Sequence, residues 1–319
     1  MKLKTKILSF IAILTAVGFG NNLMAQDKKI NIKFQRNADK SVDFYYEKEL
    51  PGSYYLSLIF NNLENTFASN YEGVIKYASG SILTLTPNNK DRDIIFSYSF
   101  STLRGTPNPK VDSLFNYTLP FKKGKTIKIL ENSNLGEKYF GSERPSKFKS
   151  YMTNRTIPDT VCSMRKGIVV EIKNEFACDT LDQYKYNSKM NYVVIEHSDG
   201  TFAFYKGFKK DLIFVQLGQT VYPQTQLGIL DKFNNSTYRL YFCIYYLINK
   251  DFDLNNNATL KTFKSREEYL SPYFITAEGQ TKLKHNNNYT IDFNETMLFY
   301  ELTKKERNKC KKNTGLLEK

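Results

Sequence analysis

The chain has 319 residues, 41% hydrophobic and 24% charged, a globular composition that excludes a disordered polymer and a membrane-embedded protein. Its 23 Tyr and 24 Phe, with no Trp, 9 Pro and 16 Gly, favour strands and argue against a helical bundle. Only two histidines limit any chemistry built on imidazole, while a net charge of +14 favours polyanionic partners as readily as it serves solubility.

Met1 to Ala25 reads as a secretory signal: Lys2, Lys4 and Lys6, the apolar run Ile7 to Gly20, then Leu23-Met24-Ala25. The run is shorter than the roughly 20 apolar residues of a spanning helix, and no cysteine follows it closely enough for a lipid anchor. Removal of the segment leaves +11 and implies a periplasmic or secreted protein without a membrane span. Such a charge suits nucleic acid, anionic lipid head groups or anionic cell-wall polymers without choosing among them; it is the segment pattern further along the chain, not the charge, that sets nucleic acid aside.

Period-two alternation then recurs at Ile30, Ile32 and Phe34, at Val42, Phe44 and Tyr46, and at Tyr54, Leu56, Leu58 and Phe60, with a Pro51-Gly52 turn. Ile94, Phe96, Tyr98 and Phe100 alternate with serines in the clearest strand. The spacing predicts a small β-sandwich, ended by an exposed boundary at Thr106-Pro107-Asn108-Pro109. Strands follow at Gly167–Ile172, Tyr192–His197, Thr201–Tyr205 and Arg239–Tyr245, with Ser198-Asp199-Gly200 as a hairpin turn. Further short strands are expected at Leu260–Phe263, Tyr269–Ile275 and Tyr289–Phe293, then an apolar run from Met297 to Leu302. A basic, solvated tail closes the chain, and no segment shows helical periodicity.

Cys162, Cys178, Cys243 and Cys310 allow three full disulfide pairings, which the sequence does not rank. Cys162 and Cys243 lie in apolar strand-like runs and read as buried thiols. No Gly-x-Ser-x-Gly elbow, phosphate loop or isolated carboxylate pair is present, since Glu267-Glu268 sits in a charged, surface-like stretch.

Four segments in order resemble one family. Leu119-Pro120-Phe121-Lys122-Lys123-Gly124-Lys125 is similar to the opening of a secreted core domain, and Val161 through Val169 to a "V-x-A-x-x-x-G-x-V" strand pair. Asn191 to Gly200 is similar to an "N-Y-V-x-I-x-H-x-D-G" hairpin, and Gly218 to Gly228 to the stretch before a metal-binding strand. Together they resemble the duplicated-hybrid-motif core of lysostaphin and LytM-type zinc metallopeptidases, which cut peptide cross-links in bacterial cell walls. The resemblance implies an all-β chain: signal 1–25, N-terminal β-sandwich-like domain 26–118, LytM-like antiparallel β-sheet core 119–255, C-terminal strand segment 256–302 and basic tail 303–319.

The catalytic residues do not carry over. The family's terminal His-x-His falls on Arg239-Leu240-Tyr241, and the histidine of its "Y-x-H-L" hairpin falls on Gly207 within Tyr205-Lys206-Gly207-Phe208. The first ligand motif sets its Asp near Met152 and its His near Pro145, and no histidine precedes His197. A catalytic zinc typically needs three protein ligands and an open position. No metal, cofactor or catalytic residue is therefore expected. His197 reads as a hairpin-end residue and His285 as a solvated one.

The resemblance implies a pseudo-metallopeptidase whose former active-site groove, formed by Arg239, Tyr241, Gly207, Tyr205 and Lys206, binds peptidoglycan or a cell-wall hydrolase that it regulates. The alternatives are an active cell-wall metalloendopeptidase with relocated ligands, built for example from His197 and Asp199, and a purely structural β-module.

Overall fold

In the computed structural model, residues 30–312 are described apart from 68, 134–146, 178–188, 235, 255, 257, 258, 260, 261 and 263. The expected signal, Pro145, Cys178 and most of Leu260–Phe263 thus lie outside the described residues, as does the side chain of Cys310.

The alternating N-terminal runs form β1 (Ile30–Arg36), β2 (Val42–Lys48), β3 (Tyr54–Glu64), β4 (Tyr71–Ile75), β5 (Ser79–Leu85) and β6 (Ile95–Arg104). They pair as two three-stranded sheets, β1-β2-β5 and β4-β3-β6. One residue in two points inward, so Val42, Phe44, Tyr54, Leu56, Leu58 and Ile75 from both sheets fill one apolar core. Ser97, Ser99 and Ser101 of β6 point to water, as the alternation requires.

The chain continues through β7 (Asn116–Tyr117), β8 (Thr126–Glu131), β9 (Tyr151–Arg155), β10 (Thr160–Cys162), β11 (Gly167–Lys173), β12 (Asn191–Glu196) and β13 (Phe202–Ile213). Then come β14 (Thr220–Val221), β15 (Gln226–Leu230), β16 (Lys232–Asn234), β17 (Thr237–Leu247), β18 (Glu267–Leu270), β19 (Tyr273–Thr276), β20 (Gly279–Thr281) and β21 (Asn287–Thr290). The main path of the large sheet runs β14-β11-β12-β13-β17-β9-β8-β21, with β18 also paired to β17. The fold is all-β and its pairs are antiparallel, except that β19 runs parallel to β7.

Strand β17 lies at the centre. Its Leu240, Phe242 and Ile244 face a core shared with Val193, Ile195, Ala203, Tyr205 and Phe208. The opposite face near β11 to β13 carries a smaller apolar group, Val170, Val194 and Phe202. The N-terminal strands cover it: a Cβ on Gly52 would strike Val170, and one on Gly105 would meet Phe202. Strands buried on both faces read as continuous apolar runs, which explains Tyr192-Val193-Val194-Ile195.

The stretch from Thr106 to Pro109 differs from the expected exposed linker. Only Asn108 of the four is exposed, and its amide donates to the Leu247 carbonyl at 2.8 Å. The C-terminal strands likewise join the central sheet, β18 on β17 and β21 on β8.

Two helices depart from the reading of the chain as free of helical segments: α1 (Glu295–Phe299), within and ahead of the apolar run, and α2 (Lys304–Lys312), where a solvated tail was expected. Asn294 caps α1 by accepting from the Met297 amide at 3.0 Å. Thr303 and Glu306 form a reciprocal capping box at the start of α2, with the Thr303 amide donating to Glu306 at 2.7 Å. Among the described residues no helix is long and apolar enough to cross a membrane.

Candidate functional site

The positions singled out by the motifs lie on three neighbouring strands. In the β17–β13 ladder Tyr241 stands opposite Lys206, and in the β17–β9 ladder Tyr241 stands opposite Met152 and Arg239 opposite Asn154. Arg239, Tyr241, Lys206 and Met152 are all half-buried, and Pro145 lies outside the described residues. Strand parity turns Arg239 and Tyr241 away from the core that Leu240 and Phe242 enter.

Arg239 organises this face. Its Nε donates to Asn154 Oδ1 at 2.7 Å and its Nη1 to the Tyr241 hydroxyl at 3.2 Å. The guanidinium lies 3.7 Å from the centre of the Phe233 ring. These contacts fix the plane of the guanidinium, and its Nη2 has no partner among the described residues. Lys206 adds a second cation whose pKa burial lowers.

Gly207 shapes the backbone beside it. Its φ is +127°, and a Cβ there would collide with the carbonyl oxygen of Arg239. Its own carbonyl accepts from the Asp231 amide at 2.8 Å.

Tyr205 does not join the groove. It is fully buried in the main core, and its hydroxyl accepts from the Met164 amide at 2.9 Å. Burial pushes the phenol up. The reason is parity: adjacent residues of one strand face opposite sides, so Tyr205 and Lys206 cannot share a surface.

These residues do not fit zinc. A guanidinium is cationic at every accessible pH and donates only, Gly207 offers no side chain, Met152 has a soft thioether, and Tyr241 already accepts from Arg239. His197 is buried with Nδ1 at 2.8 Å from the Lys166 carbonyl, and burial together with Arg165 pushes its pKa down. His285 is exposed, with Nδ1 accepting from the Glu131 amide at 3.0 Å. Among the described residues, no cluster of three His, Cys, Asp or Glu side chains is placed to hold a metal ion. The described cysteines 162 and 243 are both buried and unbridged, with thiols pushed up to about 12 by burial.

Beside Tyr241 the same face opens into an aromatic cleft of about 320 Å³, walled by Phe148, Phe204, Tyr241, Tyr245 and Tyr269 with Glu267 at its side. Phe148 and Tyr269 also border a wider groove of about 720 Å³ that continues past Leu114, Tyr246, Tyr273 and Lys282. Motif reasoning missed these residues because aromatic rings on half-buried strands read as core. The available signal was their parity with Arg239 along β17: Tyr241, Cys243 and Tyr245 follow it at intervals of two.

Another unpredicted feature is Arg165, 3% exposed. It donates to Glu301 through Nε at 3.0 Å and Nη2 at 2.8 Å, and through Nη1 to Asp199 at 2.8 Å and the Tyr117 hydroxyl at 2.9 Å. This fork-to-fork pairing pins the segment after α1 to the β12–β13 hairpin, a structural role.

No protein-family model matches the chain, and no curated protein matches it either. Among solved structures it is similar to a zinc-containing peptidase from Vibrio cholerae, at 12% identity over 67% of this chain and 81% of that chain. The TM-score of 0.24 makes this a weak structural neighbour, and a likeness of that strength carries no argument about the site.

Proposed function

We propose that this chain is a secreted or periplasmic, catalytically inactive protein of the lysostaphin/LytM type that binds peptidoglycan with the open face of its large sheet. The observation that supports the reading is the setting of Arg239. At a position where the motif resemblance sets a metal ligand stands a guanidinium held flat by Asn154, Tyr241 and Phe233, with Nη2 left to donate. A fixed cation of this shape suits carboxylates, which wall peptides carry, and it opposes the binding of a second cation. Lys206 on the neighbouring strand reinforces the preference.

The test is retention on insoluble peptidoglycan at low and high salt, comparing wild type with Arg239→Ala, using protein purified without added metal and assayed for zinc. Wild type should be retained at both salts and the variant should lose about ten-fold in affinity, the worth of one charged hydrogen-bonded contact. Equal retention of the two would remove Arg239 from the contact. Zinc at one equivalent after dialysis against a weak chelator would sink the inactive reading.

A further inference from the structure

We propose that the aromatic cleft beside Tyr241 takes the glycan strand of the wall polymer, its sugar rings lying against Tyr241, Tyr245 and Tyr269. The inference rests on the reading above and adds which part of the polymer this part of the face holds.

The first argument is the chemistry of the walls. A pyranose ring presents an apolar face of C–H groups and a polar rim of hydroxyls. The cleft offers both complements: ring faces from five aromatic side chains, and polar atoms from Glu267, Ser150 and the tyrosine hydroxyls. The rings stand at angles to one another, Phe148 against Tyr269 at 4.8 Å and 60°, Tyr245 against Tyr269 at 6.4 Å and 46°. Angled rings line a trough, whereas parallel stacking consumes ring faces; Tyr245 has given one of its faces to Phe202, at 5.3 Å and 20°, and the other tilts toward Tyr269. Burial raises the phenols of Tyr245 and Tyr269, so they remain neutral donors.

The second argument is extent. Tyr241 and Tyr245 are four residues apart on β17, about 13 Å at ~3.3 Å per residue, longer than a single sugar ring. The trough then runs on past Phe148 and Tyr269 into the wider groove. A linear polymer uses such length, and a small isolated ligand does not.

The floor of the cleft disfavours the main competitor. An extended peptide gains most of its affinity by adding a strand to a sheet edge. Strand β17 is hydrogen-bonded on both sides, to β13 on one and to β9 and β18 on the other. The β17–β13 ladder is continuous over Tyr241–Tyr245, so the floor of the cleft presents side chains, and strand addition is left to the outer edge of β18, which pairs with β17 alone.

The experiment is isothermal titration of the full chain with a soluble chitin tetramer, which carries β-linked N-acetylated sugars and no peptide. Wild type, Tyr241→Ala and Tyr269→Ala are compared, each checked for an unchanged melting curve. The tetramer should bind with an affinity indifferent to salt, and each variant should weaken it about five- to ten-fold, the scale of one aromatic stacking contact. Tyr241→Ala, at the cleft mouth, keeps the test valid if Tyr269→Ala fails to fold. Retention on whole peptidoglycan without tetramer binding would overturn this inference and leave the proposed function standing. Tetramer binding that ignores both substitutions would overturn the location. Failure to bind either material would remove both readings.

Discussion

At φ +127°, with the Arg239 carbonyl where a Cβ would stand, Gly207 tolerates no side chain without movement of two strands. Gly207→Ala should therefore cost about 2 kcal/mol or more, read as a lower urea midpoint with an unchanged slope. An unchanged midpoint would show that the ladder relaxes freely there. The residue thus has a backbone role that its alignment with a catalytic histidine does not suggest. Legibility at this scale was uneven for physical reasons. The motif resemblance brought Arg239, Tyr241, Lys206 and Gly207 to one neighbourhood, but treating Tyr205 and Lys206 as sharing a surface ignored the period of two. Asn154 and Phe233, which hold the guanidinium, were invisible because their importance comes from the pairing of β9 and β16 with β17.

Among the elements, α2 shows what periodicity cannot report. Its sequence KKERNKCKK has no apolar stripe, so the helix is specified by its first turn. Glu306 is desolvated, which pushes its carboxyl up. Hydrogen bonds from Lys166, the Thr303 amide and hydroxyl, and the Tyr222 hydroxyl outweigh this and hold it at about 2, below the ordinary 4.5. A depressed carboxyl stabilises the docked helix fully above its unfolded pKa, and that contribution fades as pH falls through the folded one. Amide-exchange protection over Lys304–Lys312 should accordingly decline between about pH 4.5 and pH 2, and Glu306→Gln should lower it already at neutral pH. Protection that persists to pH 2 in wild type would contradict this account. The Thr303-x-x-Glu306 box was a readable signal in the sequence, masked by the surrounding lysines. The strands, by contrast, were legible wherever one face was more open to water, as in β2 and β6. Strands β4 and β5 escaped because Tyr71, Gly73, Ser79 and Gly80 dilute the alternation.

Across the whole molecule, the two apolar cores are joined by a small set of polar and aromatic contacts beside the apolar contact at Val170 and Phe202. Glu196, 9% exposed, accepts from the Ser53 amide at 2.8 Å and from the Ser53 hydroxyl. Arg104 pairs with Glu171, Lys250 pairs with Glu72, and Tyr55 stacks on Phe252 at 6.0 Å. Glu196→Ala would leave the Ser53 amide unpaired and the Ser53 hydroxyl without its acceptor, at a cost of about 1–3 kcal/mol. Calorimetry should then resolve two transitions where wild type shows one, and a single transition in the variant would place the coupling elsewhere. The turn at Gly52 and Ser53 has a further consequence. With Gly105 it roofs the apolar group on this face, Gly52 against Val170 and Gly105 against Phe202. The N-terminal strands are thus to the sheet what a lid is to glue: they make one of its faces soluble. None of their residues lines the aromatic cleft beside Tyr241, so that opening belongs to the large sheet alone, and its neighbour shelters one part of the face while leaving the other part to work.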